Sequence, residues 1–445
     1  MIDNYRIRKI GDKYFLSTDD GSSIILNISE LKQIKKETVP DNLKKKLLDK
    51  EIITKNISKK IDNLRKRNDF LFQGTSLHVI VLTKRCNMSC VYCHAGRENE
   101  SKKELDMDLN TAKKTVDFIF QSPSNKITIE FQGGEPLLNW SVLKFIVEYA
   151  HELNDTIGKD LQIDLVTNMG LMDEEKMDYL IEKNVGVCTS LDGPKELHDK
   201  NRVHNKSNYE EVIYWIKKFN DEYIKRDIDS QINALVTITK NSLKYSKEII
   251  DEYAKLGLNM VHLRFLNNLG FAKSAWEKIS YTPEEFIGFW NKSIDYIQIN
   301  KINMIERGYN IIQAKLKNKK DPNYLEMRSP CGAVIGQLAY DYNGLIYTCD
   351  EARMLNEDLF HIGNVNQEFA QVVTCDKACS IVNSSINDQF ICDTCAYKPY
   401  CGVCPVCNYS EQGNIIGKIT QTSRCKIYMS QFDRVVKETF IKHNS

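Results

Sequence analysis

The sequence predicts an α/β protein built on a parallel sheet or incomplete barrel of six β/α units, with a small β-then-α module before it and a cysteine-rich region after it. Three observations carry this expectation. Between residues 76 and 266, strand-like runs rich in Val, Ile and Leu alternate with amphipathic helical stretches. Three cysteines, a Gly-Gly-Glu-Pro turn and two polar turns fall just past the C-terminal ends of successive runs, the rim on which parallel α/β folds build their sites. Of fourteen cysteines, three lie at 86–93 and ten between Cys331 and Cys425, so two separate metal-binding regions are expected.

In chain order, residues 1–55 hold two alternating apolar runs, Tyr5 to Leu16 and Ser23 to Leu26, around the turn-forming Asp19-Asp20-Gly21, and helical segments follow to about residue 68. The six core strands are expected at Leu77–Leu82, Lys126–Phe131, Leu161–Val166, Val185–Thr189, Ile232–Ile238 and Met260–Phe265. Helices are expected near 283–317 and over 428–442. At 445 residues the chain exceeds one core. The boundaries read as 1–70 for the N-terminal module, 71–280 for the core, 281–330 for a helical bridge and 331–445 for the cysteine-rich region. The first module contributes no residue to either cysteine field.

Composition narrows the function classes. A hydrophobic fraction of 42% with 27% charged residues is ordinary for a globular protein, and no apolar run reaches the length of a bilayer span. Met1-Ile2-Asp3-Asn4-Tyr5 lacks the layout of a secretory signal, so a cytoplasmic location is expected. A net charge of +1 provides no field to attract nucleic acid. The basic stretch Lys32 to Arg67, with 13 Lys/Arg against 5 Asp/Glu, reads as a solvated helical face. In a reducing cytosol, cysteines serve metal binding or catalysis rather than disulfides.

Cys86, Cys90 and Cys93 place three thiolates within eight residues of a loop. Iron–sulfur clusters are normally held by four cysteines, so three ligands leave one iron open for chemistry. The competing reading is structural zinc with a distant fourth ligand, His94 being the nearest candidate, which would make the protein a zinc-binding scaffold. Iron and sulfide analysis separates the two.

Cys-x3-Cys-x2-Cys after the first strand, with Gly133-Gly134-Glu135-Pro136 after the second, resembles the radical S-adenosylmethionine (SAM) superfamily over residues 76 to 266. The resemblance implies a partial (β/α)6 barrel and a SAM-binding 4Fe–4S cluster on Cys86, Cys90 and Cys93. Reductive cleavage of SAM there would give methionine and a 5′-deoxyadenosyl radical that abstracts a substrate hydrogen. A low-potential electron donor such as flavodoxin or ferredoxin is implied with it. Gly133 and Gly134 would permit close backbone approach, and Glu135 would accept from the SAM ammonium. Ser190 and Arg202 resemble the positions that meet the SAM ribose and carboxylate, with Asn168 at the ribose edge. Ala95 departs from the tyrosine of the sulfatase maturases.

The second field runs Cys331, Gly344, Cys349, then Cys392-x2-Cys395-x5-Cys401-x2-Cys404-x2-Cys407, and Cys425. It resembles the SPASM domain, which implies two auxiliary 4Fe–4S clusters and a peptide or protein substrate. The resemblance gives Cys392, Cys395, Cys401 and Cys425 to one cluster and Cys331, Cys349 and Cys404 to the other. A spacing of two residues, where three is usual, leaves Cys404 and Cys407 ambiguous. Cys188 reads as a buried inert thiol, and Cys375 and Cys379 as a surface loop. Phe131 to Asn139 and Tyr397 to Pro405 are similar to the maturase of the His-Xaa-Ser peptide system, which implies a ribosomally made precursor peptide. The alternative within the class is a sulfatase-maturing enzyme forming formylglycine. Asp350 matches that family's proposed base, whereas Gln132 stands in place of its histidine.

Overall fold

Six parallel strands form at the expected runs and lie side by side in sequence order: Leu77–Val81, Lys126–Gln132, Asp160–Thr167, Val185–Ser190, Asn233–Thr237 and Leu263–Arg264. The computed structural model describes residues 4–54, 56–203, 207–318 and 320–441; Met1 to Asp3 and Lys442, the last residue of the expected final helix, lie outside them. Alternation within a strand divides its two faces. In Lys126–Gln132, Ile127, Ile129 and Phe131 are buried in one apolar cluster with Val116, Ile119, Leu143 and Ile146 of the flanking helices. Thr128, Glu130 and Gln132 take the opposite, polar face, called the inner face below.

Two strand expectations are corrected. The run Met260–Phe265 breaks at His262: Met260–Val261 pairs with Ile305–Glu306, and only Leu263–Arg264 joins the main sheet. The Glu306 carboxylate accepts from the Leu263 N–H at 3.1 Å, so a side chain takes a donor that an unbroken strand would spend on a ladder. The run Tyr5 to Leu16 is a hairpin of two strands, Tyr5–Ile10 and Lys13–Thr18, because Gly11 turns the chain at φ +61°. Ser23–Leu26 completes a three-stranded antiparallel sheet, and helices Ile28–Lys35, Asp41–Asp49 and Ile57–Arg67 follow. The described basic residues from Lys32 to Lys66 stand mostly exposed, whereas Arg67 is 4% exposed.

The cysteine-rich region begins by extending the core sheet. Gln337–Tyr340 pairs in parallel with Leu77–Val81, and Leu345–Tyr347 and His361–Asn364 continue it antiparallel to nine strands. An incomplete barrel leaves its first strand with an open edge, and this extension covers it. Cys375 and Cys379, expected in a loop, flank and enter the helix Asp376–Ser384. Helices Pro283–Ile299 and Arg307–Lys317 pack on the last long helix, Ser423–Val436.

The N-terminal module docks on the cysteine-rich region. The Phe15 ring lies 5.8 Å from that of Tyr397, which stacks on Phe432 at 4.7 Å. Arg8 grips Asp433 with two donors at 3.0 and 2.6 Å. Arg67 donates to the carbonyls of Asp20, Asn318 and Pro399. Ile7 and Arg8 line a cavity with Cys392, Cys395 and Cys401. The module supplies no cysteine to either field, and its first strand lines the cavity of one of them. Among the described residues no helix is long and apolar enough to cross a membrane.

Candidate functional site

The first cysteine loop leaves strand Leu77–Val81 and is held at several points. Ser89–Cys90 pairs antiparallel with Arg202–Val203, the Cys86 N–H reaches the Glu98 carbonyl at 3.1 Å, and the Met88 N–H points at the Cys86 sulfur at 3.4 Å. The Gly133-Gly134 turn closes on the same loop: the N–H groups of Gly134 and Glu135 donate to the carbonyls of Thr83 and Arg85, both at 2.8 Å. A Cβ on Gly134 would stand 1.9 Å from the Arg85 oxygen. The close approach that these glycines permit is to the cysteine loop itself, which fixes Glu135 beside it.

Glu135 is 1% exposed. One of its oxygens accepts from Thr167 Oγ1 at 2.7 Å and Leu137 N–H at 3.1 Å, the other from Asn168 N–H at 2.9 Å. A carboxylate offers about four acceptor positions, so one remains open. Burial pushes its pKa up. The Asn168 side chain donates to Asn87 at 2.7 Å and faces Cys86. Ser190 ends its strand half-buried. Arg202, beside Cys90, lies over the Tyr92 ring at 5.6 Å and 3.6 Å from the Asp192 carboxylate, too far for a hydrogen bond, so its buried Nε has no partner. Tyr92 donates to Asp192 at 2.9 Å. The four turns thus meet on one rim. Tyr92 and Asp192 were not singled out in the sequence, although Asp192 sits inside the quoted Ser190-Leu191-Asp192-Gly193 turn; their pairing spans a hundred residues.

The ten later cysteines resolve into two neighbourhoods and an outlying pair. Cys392, Cys395, Cys401 and Cys425 are near enough to raise one another's pKa values. In the second, Cys404 raises the pKa values of Cys331 and Cys349, and Cys331 that of Cys349. Cys404 caps the helix Pro405–Gln412, and its sulfur accepts the Cys407 N–H at 3.4 Å, so the two-residue spacing puts both thiols on one helical turn. The Cys407 thiol donates to Cys404 and draws its pKa down while its own rises. Burial pushes Cys90, Cys331 and Cys392 up to about 11. Several buried thiols side by side can all ionise only when metal charge replaces their protons. A cavity of about 260 Å³ touches Cys392, Cys395, Cys401, Cys404, Cys407 and Cys425. Among the described residues, no three His, Cys, Asp or Glu side chains converge on one ion-sized point.

Asp350 opens the helix Asp350–Leu355 and is ion-paired with Arg353, whose Nε and Nη2 donate to one carboxylate oxygen at 3.0 and 2.7 Å. Arg353 also faces the Ala95 carbonyl at 3.4 Å, tying the two cysteine fields together. The inner face carries residues that the sequence reading passed over. Glu130 and Asp164 are register partners on neighbouring strands, and burial raises Glu130 to about 7. Gly186, opposite Asp164, leaves room for its carboxylate; a Cβ there would meet it at 2.3 Å. Cys188 belongs to this polar face rather than the core, half-buried near Glu130, and burial lifts it to about 12. The readable signal was a polar residue at every second position of a strand whose other face is packed by helices.

Residues 80–241 match the Radical SAM superfamily. The chain carries a radical SAM domain. Members of this superfamily use a 4Fe–4S cluster and SAM, and the chain is related to peptide and sulfatase maturases, which are enzymes. It is 29% identical over 197 residues to an uncharacterised protein of Methanocaldococcus jannaschii, 44% of this chain and 64% of that one, so it spans just under two thirds of that relative's length. It is 23% identical over 383 residues to a cysteine-type anaerobic sulfatase-maturating enzyme of Clostridium novyi, covering 83% of this chain and 97% of the relative. The fold is shared with native anSMEcpe with bound AdoMet and Cp18Cys peptide, at TM-score 0.69 and 19% identity over 83% of this chain and 98% of that one. It is also shared with Streptococcus suis SuiB bound to precursor peptide SuiA, at TM-score 0.59 and 16% identity over 93% and 97%. Because the SuiB match covers 93% of 445 residues, most of residues 1–70 lie inside it.

Proposed function

We propose that this chain is a radical SAM maturase that modifies a ribosomally made peptide or protein, most like the maturase of the His-Xaa-Ser system. In this reading Cys86, Cys90 and Cys93 hold the SAM-binding cluster. Cys392, Cys395, Cys401 and Cys425 hold one auxiliary cluster, and Cys331, Cys349, Cys404 and Cys407 the other. The observation that carries it is the shared cradle at the rim, where the cysteine loop, the glycine turn and Arg202 are held against one another by backbone hydrogen bonds and strand pairing. When bound, the cluster and SAM supply a 5′-deoxyadenosyl radical. Glu135 keeps one acceptor position for an ammonium, the Arg202 Nε, which lacks a hydrogen bond, suits a carboxylate, and Ser190 and Asn168 offer hydroxyl and amide groups to a ribose. Support for a peptide substrate comes from the two structural neighbours captured with peptides. The chain's free cysteines suit the reducing cytoplasm, where a flavodoxin or ferredoxin would deliver the electron.

Anaerobic reconstitution tests this directly. The wild type should carry iron and sulfide and release 5′-deoxyadenosine from SAM under reduction, and the Cys86→Ala, Cys90→Ala, Cys93→Ala triple variant should release none above a protein-free control. Release from the triple variant would sink the assignment, and a colourless zinc protein would return the scaffold reading.

A second reading, formylglycine formation, is favoured by the extent of the Clostridium novyi match. Aldehyde trapping on a cysteine-containing sulfatase peptide distinguishes it from modification of a precursor peptide encoded beside the gene. Asp350, held by Arg353, is the proposed base in either case, and unchanged product from Asp350→Asn would remove it.

A further inference from the structure

Both auxiliary cysteine groups have arginines beside them, but these are not equally committed. Arg8, beside the Cys392, Cys395, Cys401 and Cys425 group, is neutralised by its two-donor grip on Asp433. Arg424 differs. It is 5% exposed and its Nε has no hydrogen-bond partner; its one carboxylate, Glu326 at 3.5 Å, is shared with Arg264 at 2.8 Å, and its other donors meet Tyr428 and Asn267 only at 3.4 and 3.5 Å. Asn267 lies in turn 3.9 Å from the Cys407 sulfur, and Arg424 lines the same cavity as Cys404 and Cys407. Although its neighbour Cys425 belongs to the other group, the charge of Arg424 acts on Cys407 and Cys404. Its guanidinium lies over Phe265, and Phe265, Glu326 and Tyr428 line a cavity with Arg264 at the edge of the core sheet. Near Cys331 of the same group stands Arg328, 2% exposed, over the Phe70 ring at 4.0 Å with Nε and Nη2 without hydrogen bonds and its charge acting on Cys331.

We infer that Arg424 and Arg328 tune the auxiliary site of Cys331, Cys349, Cys404 and Cys407, making it the more readily reduced of the two auxiliary sites. The inference rests on the cluster assignments above. Adding an electron to a thiolate-ligated cluster adds negative charge, and a desolvated cation with unspent N–H groups favours the reduced form. A cation whose charge a carboxylate already cancels, as with Arg8, does so less. Arg424 and Arg328 are positioning residues in this scheme, acting through the site they flank.

The test is an EPR-monitored redox titration of the reconstituted full-length enzyme, with the SAM-binding signal recognised by its change on adding SAM. Arg424→Gln should keep its iron and lower the midpoint of one auxiliary signal by at least the equivalent of a tenfold change in the oxidised-to-reduced ratio, about 59 mV for one electron. The other auxiliary signal and the SAM-binding signal should stay in place, and Arg424→Lys should restore most of the shift. An unchanged midpoint at full iron, or an equal fall in the Lys variant, overturns the inference. If Arg424→Gln loses iron, Arg328→Gln decides: a fall in the same signal supports the inference and no shift overturns it. A wild type with no iron–sulfur signals at all would instead defeat the proposed function, so the two failures are distinguishable.

Discussion

Gly134 shows how one missing side chain organises the rim. Its hydrogen is what lets the Glu135 N–H reach the Arg85 carbonyl, and an alanine Cβ would sit 1.9 Å from that oxygen, so the turn must back away from the cysteine loop. Gly134→Ala should therefore cost about 1–3 kcal/mol, as overpacking typically does, and should lower the iron retained at Cys86, Cys90 and Cys93. Gly288→Ala, in the helix Pro283–Ile299 with nothing within 4 Å of the added carbon, should leave iron unchanged and stability equal or higher. Thermal melts and iron assays on the pair check this; equal behaviour would remove the steric argument. At this scale the sequence was legible where chemistry singles a residue out: thiols in a tight spacing, two glycines before an acid. It was not legible for Tyr92, Asp192 or Arg424, because an arginine acquires its meaning from what surrounds it and those neighbours lie far away along the chain.

The strands were legible because parallel strands covered by helices need apolar side chains on one face at every second position, as Ile127, Ile129 and Phe131 show. The seam between the core and the cysteine-rich region was not, because parallel pairing of Leu77–Val81 with Gln337–Tyr340 joins segments some 260 residues apart. His78 secures that seam. Fully buried, it lies with Nδ1 2.8 Å from the Tyr340 hydroxyl and Nε2 3.2 Å from the Thr75 carbonyl, the pattern of a neutral ring that accepts from one and donates to the other. Burial is the main cause that lowers its pKa to about 3. The folded pKa lies below the unfolded value, so this contribution to stability is complete above pH 6.5 and is lost as the pH falls from there toward 3. His78→Gln removes that dependence. Its stability deficit relative to wild type in urea should shrink by about 2 kcal/mol between pH 6.5 and pH 5; a constant deficit would mean that His78 does not titrate with unfolding.

For the whole molecule, the sequence divided the chain into successive parts, and the structure interleaves them. The N-terminal strands supply Phe15 to the Tyr397–Phe432 stack, Ser17 donates to the Ala396 carbonyl at 2.7 Å, and the Tyr400 hydroxyl donates to the Gly21 carbonyl at 2.9 Å. These contacts hold the backbone between Cys395 and Cys401, so the module shapes the spacing of two proposed cluster ligands. Lys13–Thr18 occupies only one edge of the strand Tyr5–Ile10, and its other edge is where a precursor leader would dock by strand addition. Deleting residues 1–70 therefore perturbs more than docking, as it exposes Tyr397, Tyr400 and Phe432 and removes Arg8 from the cavity wall. The truncated protein should lose iron from the Cys392, Cys395, Cys401 and Cys425 site while the cluster on Cys86, Cys90 and Cys93 persists. Uncoupled 5′-deoxyadenosine release should then continue without peptide product. Iron per chain, 5′-deoxyadenosine and peptide mass measured on one preparation check all three. A truncation that keeps every cluster and loses only precursor affinity would overturn the supporting role and leave docking as the module's task.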